Sequence, residues 1–137
     1  MRRYALAALA SSVCAAPALA QSCDDDNWLF TYRATIVDVY DGDTVKADVD
    51  LGFGVLLQAE TFRLYGIDAP EVRGAERAAG LKARDWLRSR ILGKRVTLKS
   101  IRDQKGKYGR RLALICDAEG DVIADLVAAS HAERREY

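Results

Sequence analysis

The stretch VYDGDTVKADVD, Val39 to Asp50, opens with two carboxylates around a glycine and closes as a strand. Val45, Ala47, Val49 and Leu51 alternate with Lys46, Asp48 and Asp50, the period of a sheet with one face buried. An Asp-Gly pair between strands ordinarily marks a tight turn. Two acids at the mouth of an apolar strand also offer oxygen ligands to a hard cation. What lies around this stretch decides between the two readings, and it decides the fold as well.

Toward the N-terminus, Phe30 to Val39 is rich in Thr, Tyr, Ile and Val and predicts a first strand; the quoted stretch supplies the second. Gly52-Phe53-Gly54 breaks it, and Val55 to Gln58 continues a long hairpin. A third strand is expected over Thr61 to Ile67, with Phe62 and Leu64 on one face and Arg63 and Tyr65 on the other. Then the period changes. Between Glu76 and Leu92, Ala79, Ala83, Trp86, Leu87 and Ile91 recur at spacings of three and four, an amphipathic helix that Gly93 is placed to end. Arg95 to Ile101 alternates as a fourth strand with Val96 and Leu98 inward, Lys105 to Gly109 reads as a loop, and Leu112, Leu114 and Cys116 mark a fifth strand. Asp117 to Gly120 turns the chain into a short closing helix carrying Ile123, Leu126, Val127 and Ser130. The fold class expected is therefore mainly β with helices: a five-stranded OB-type barrel with a helix between strands 3 and 4 and a short C-terminal helix. A small barrel filled by its own side chains suits 137 residues.

The first twenty residues have another purpose. Arg2 and Arg3 precede an alanine-rich apolar run, and Ala18-Leu19-Ala20 has small residues where a signal peptidase reads them. Residues 1–20 are expected to be a secretory signal peptide, 21–29 a flexible mature N-terminus and 30–137 the folded domain. The apolar run is too short to anchor the chain across a bilayer. Export to the periplasm or the medium follows, with no membrane association after cleavage. Removing Arg2 and Arg3 leaves 19 basic against 20 acidic side chains, and Cys23 and Cys116 remain as a pair that is either a disulfide or two separate thiols. Nothing resembles a Cys/His zinc set.

Charge is segregated along the chain. Asp24 to Asp68 is acidic, with only Arg33, Lys46 and Arg63 opposing; Arg88 to Arg111 is basic, with Asp103 alone opposing. A near-neutral protein is thus expected to carry a basic face, which suits a polyanion, and an acidic pocket. Within the acidic half, Arg63 lies inside a strand, and Asp68 and Glu71 lie just beyond its end. Arg110 begins another strand. If a barrel gathers those strand ends, Asp43, Asp68, Glu71, Arg63 and Arg110 share one mouth. Carboxylates bind a hard cation, arginines grip phosphate with paired hydrogen bonds, and a spare carboxylate accepts a proton from water. Together these residue types suit metal-assisted phosphodiester hydrolysis.

Three linked stretches, VYDGDTVK, TFRLYGIDAPE (Thr61–Glu71) and KYGRRLA (Lys107–Ala113), resemble the signatures of the staphylococcal nuclease (thermonuclease) family in order and spacing, and ADLVAASHA (Ala124–Ala132) resembles its next helix. The resemblance spans roughly Ala34 to His131. It implies Asp43, Asp68 and the Ala69 carbonyl as ligands of one Ca2+, with Asp41 an acid behind them. It implies Arg63 and Arg110 on the phosphate and Glu71 as general base or water-orienting acid. Lys107 and Tyr108 would touch the terminal phosphate of a bound nucleotide. The activity implied is a calcium-dependent nuclease acting on DNA and RNA with little sequence preference and leaving 3′-phosphate ends; the alternative is an OB-type module that binds nucleic acid without cutting it. A monomer with no stable protein partner is the default. Three departures carry expectations: the hairpin between Lys46 and Arg63 is longer than the family's, so DLGFGVLLQ (Asp50–Gln58) is expected to reshape one side of the cleft; Ser130 stands where the family usually has glycine; and the family's further C-terminal helix has no counterpart before Tyr137, which predicts modest stability. His131, the one histidine, is expected at the surface.

Overall fold

Strand β1 (Thr31–Val39) passes through a bend into β2 (Thr44–Asp50), and the chain returns as β3 (Leu56–Leu64). The computed structural model describes residues 30–105 and 110–136, with the backbone alone for 102–105. Residues 1–20, expected above to be a signal peptide, and Cys23, Trp28, Lys107 and Tyr108 lie outside the described residues. After β3 come a two-residue strand β4 (Ile67–Asp68), helix α1 (Arg77–Ile91) entered through one 3₁₀ turn at 74–76, and β5 (Arg95–Lys105). Then follow β6 (Arg111–Asp117), β7 (Gly120–Asp121), α2 (Val122–Ala128) and β8 (Glu133–Arg134).

The strands run in the order β3-β2-β1-β5-β6, antiparallel throughout, and a parallel pairing of β3 with β6 closes the sheet into a five-stranded barrel. The closing register sets Arg63 opposite Leu112 and Leu64 opposite Ala113. Ile36, Val45, Ala47, Phe62, Leu64, Leu98 and Ile115 fill the interior at 2% exposure or less. Such a residue contributes roughly 1.5–3 kcal/mol by burial. Helix α1 plugs one end with Ala83, Leu87 and Ile91, and α2 adds Val122, Ile123 and Leu126. Asp121 caps α2 by accepting from the N–H groups of Ile123 and Ala124 at 2.9 and 3.1 Å.

The barrel expected from strand order is therefore present, with four local corrections. First, β3 is one strand from Leu56, and Ile67 belongs to a separate strand, because Gly66 at φ 77° turns the chain between them. Second, the inward face of β6 is Ala113 and Ile115; Leu114 and Cys116 lie outward and half-buried. Residues 112–116 are apolar throughout, so alternation had no contrast from which to choose a face. Cys116 is disulfide-bonded; Cys23, the other cysteine of the pair left open above, lies outside the described residues. Third, Gly80, not Ala79, is the buried position in the first turns of α1. Fourth, the apolar tip at Leu51–Val55 stands at the opposite end of β2 from Asp43, with Phe53 wholly exposed. The long hairpin does not shape the mouth where the acids lie.

Candidate active site

Asp41, Gly42, Asp43 and Thr44 are all buried, whereas an ordinary hairpin turn lies in water. The bend is built inward. Asp41 accepts a hydrogen bond from the Asp43 N–H at 3.0 Å, closing a two-residue turn with its own side chain. A Cβ on Gly42 would come within 2.7 Å of the Ala69 Cβ and 2.8 Å of the Ala83 Cβ, so the absence of a side chain lets this bend seat between the β4 end and helix α1. Asp43, 2% exposed, is thereby pressed into the barrel mouth with its carboxylate facing β3 and β4.

Arg63 explains the charged residue inside a strand. Its guanidinium donates to Asp43 Oδ1 at 2.7 Å through Nη1 and to Asp68 Oδ1 at 2.6 Å through Nη2. One planar fork thus brings together a carboxylate from the bend before β2 and one from β4. The other oxygen of Asp43 accepts from the Ala69 N–H at 2.9 Å, and Oδ1 also accepts from the Thr44 hydroxyl at 3.1 Å. The Thr44 hydroxyl in turn accepts from Arg110 Nη1 at 3.0 Å, so the second arginine is tied to the same bend. Glu71, exposed at the rim, is held by its backbone: its N–H donates to Glu76 Oε2 at 3.3 Å, and its carbonyl lies against Gly80, where a Cβ would sit only 2.2 Å away.

Burial pushes the Asp43 carboxyl up to about 6, and the neighbouring Asp41 charge adds to the effect; the Ala69 N–H, Arg63 and Thr44 pull the other way without cancelling it. The charged form of Asp43 is thus disfavoured by its burial even with Arg63 in place. Among the described residues, no group of three or more His, Cys, Asp or Glu side chains gathers as a ready-made metal cage. Two carboxylates within reach of one guanidinium and a backbone carbonyl at the next residue are nonetheless an all-oxygen donor set, the kind a hard cation takes. The residues present fit such an ion.

Asp41, Asp43, Arg63, Asp68, Ala69 and Arg110, all singled out from sequence, are thus joined at one mouth through Asp43, Thr44 and Arg63, while Glu71 is located by its backbone alone, against Glu76 and Gly80. Sequence reasoning missed Arg135, whose Nη1 donates to Asp68 Oδ2 at 3.0 Å. It lies in a run of charges without period, and only the pairing of β8 with β4 brings it here. Part of the expected basic face is neutralised: Arg90 pairs with Asp117 at 2.6 Å and Asp125 at 2.9 Å, Arg111 with Glu60 at 3.2 Å and Arg88 with Asp38 at 3.7 Å. Arg90 also holds the Asp117 carboxyl below the usual range through hydrogen bonding. His131 packs its ring 5.8 Å from that of Trp86 and, with Asp68, Ala69 and Pro70, lines a cleft of about 210 Å³.

A family model described as staphylococcal nuclease homologue matches residues 61–136, a little over half of the chain. The chain belongs to the staphylococcal nuclease homologue family. The match takes in Arg63, Asp68, Glu71, Arg110 and Arg135, while Asp41 and Asp43 enter the site through the fold. A comparison with curated proteins finds no match. Family membership marks this domain as a nuclease-type, nucleic-acid-binding module.

Proposed function

We propose that this staphylococcal nuclease homologue is an exported, calcium-dependent nuclease that hydrolyses phosphodiester bonds of DNA and RNA with little sequence preference and leaves 3′-phosphate ends. The single observation that carries the reading is Arg63 bridging Asp43 and Asp68, with Arg110 tied to the same bend through Thr44. A guanidinium held at a strand end by two carboxylates is a phosphate-binding group kept in position before substrate arrives.

Asp43, Asp68 and the Ala69 carbonyl would hold the cation, which when bound supplies charge neutralisation at the reacting phosphoryl oxygens. Arg63 and Arg110 grip the phosphate and become more valuable as negative charge builds on it in the transition state. Glu71, at the exposed rim, accepts the proton of the attacking water or orients it. Contacts to phosphate carry no base information, so one strand serves as well as another. The leader at residues 1–20 is the ground for export.

Plasmid nicking with calcium, with chelator and with Glu71→Gln tests the reading. Calcium-dependent cutting that falls by 10²-fold or more in the variant is expected. Nucleic-acid binding without cutting, indifferent to chelator, would instead assign a binding module.

A further inference from the structure

We infer that Arg135 is a third substrate-contacting arginine, one that grips the phosphate adjacent to the one cleaved; the inference rests on the nuclease reading above. Three observations lead to it. The first is placement. Antiparallel pairing sets Asp68 opposite Glu133 and Ile67 opposite Arg134, and the Arg135 N–H donates to the Gly66 carbonyl at 2.9 Å. Alternation along β8 then puts Arg135 on the same face as Asp68. Its backbone is therefore as firmly located as that of β4, although 67 residues separate it from Asp68.

The second is division of labour on one carboxylate. Arg63 holds Asp68 Oδ1 at 2.6 Å and Arg135 holds Oδ2 at 3.0 Å. The contacting nitrogens of the two arginines can lie no more than about 8 Å apart, these two distances plus the width of a carboxylate. Neighbouring phosphates of one strand, about 3.4 Å apart along the axis of a duplex, fall within that span.

The third is spare capacity. The Arg63 side chain is 12% exposed and uses both terminal nitrogens on Asp43 and Asp68. The Arg135 side chain is 54% exposed and gives Asp68 one of its five N–H donors. Asp68 orients Arg135 without consuming it, and the unused donors stand in solvent beside the barrel mouth. An ion pair this exposed contributes little to folding, on the order of 0–1 kcal/mol, so a structural role alone leaves the arrangement without a purpose.

The test compares the full chain with its Arg135→Gln and Arg135→Lys variants. Binding of a fluorescent single-stranded oligonucleotide in chelator is followed over a salt series. For Arg135→Gln, the slope of log K against log salt is expected to become shallower by about 0.7, the value of one single-strand phosphate contact, and Arg135→Lys to retain the wild-type slope. Cleavage is then compared between a dinucleotide with one phosphodiester and no terminal phosphate and a tetranucleotide. The variant should lose roughly tenfold in kcat/KM on the longer substrate, the value of about 1.4 kcal/mol, and nothing comparable on the dinucleotide. An unchanged salt slope, or equal losses on both substrates, overturns the inference and leaves Arg135 as a support for Asp68 while the nuclease reading stands. A wild-type chain that neither binds nor cuts overturns both.

Discussion

At the scale of single residues, Arg63 answers two demands at once. Without substrate it offsets two acids, 2.7 and 2.6 Å away. With substrate it meets a phosphate whose charge is growing. Arg63→Ala therefore acts on two measurable quantities in opposite ways. The value of kcat/KM is expected to fall by 10²–10³-fold or more, the usual loss of roughly 2.7–4 kcal/mol when one preorganised charge stabiliser is removed. Divalent-cation affinity, read by calorimetry on the same variant, is expected to hold or rise, because a competing positive charge has left Asp43 and Asp68. A variant that cuts normally, or one that loses cation binding together with activity, contradicts the role assigned to Arg63. The residue types at this mouth were legible in the sequence because charged side chains inside short strands demand partners. The partner of Asp68 on β8 was not, since nothing in the run Glu133-Arg134-Arg135-Glu136 announces a strand.

Among the elements, α1 illustrates a conflict between propensity and packing. Alanine is favoured over glycine inside a helix by roughly 0.8–1 kcal/mol, so Gly80 costs stability as far as the helix alone is concerned. A Cβ there would lie 2.2 Å from the Glu71 carbonyl oxygen and 2.7 Å from that of Pro70, both backbone atoms that cannot swing aside. The clash wins. Gly80→Ala is expected to lower stability by about 1–3 kcal/mol, as overpacking generally does. It should also reduce turnover, because relief of the clash moves the segment that positions Glu71. Urea denaturation beside steady-state kinetics checks both, and a more stable, fully active variant would show that the contact is loose. The helix period of α1 was readable, but its buried face was misplaced by one residue because a glycine gives no hydrophobic signal. The end of α2 behaves in the opposite sense. Ser130, at φ 59°, occupies a left-handed conformation that side chains resist, and it lies exposed. Ser130→Gly is expected to raise stability by about 0.5–1 kcal/mol, a gain seen as a higher urea midpoint at unchanged slope.

For the molecule as a whole, barrel order was legible from five alternating stretches and one change of period, while the closing pair, β3 with β6, was not. A parallel ladder between segments about fifty residues apart leaves no local mark. That closure confines Asp43, and the confinement has a thermodynamic consequence. A carboxyl whose pKa is raised from 3.8 to about 6 on folding binds its proton more tightly in the native state. Its contribution to stability is then most favourable below pH 3.8, diminishes as the pH rises through about 6, and stays unfavourable above. Asp43→Asn removes the ionisation and keeps an oxygen able to accept from the Ala69 N–H, at the loss of the Arg63 ion pair. Because burial and Asp41 outweigh Arg63 in setting the pKa, the substitution should be stabilising at neutral pH. A shift of this size corresponds to about 3 kcal/mol at most, so a gain of about 1–3 kcal/mol is expected at pH 8 in chelator, shrinking toward pH 4. Calcium should reverse the order. At a hundred times its dissociation constant, a ligand that binds only the folded state adds about 2.7 kcal/mol, and the wild-type chain should collect far more of this than the variant lacking Asp43. Urea midpoints at the two pH values, with calcium and with chelator, decide the matter: an Asn variant less stable than wild type at pH 8 without metal would mean that Arg63, and not burial, governs Asp43.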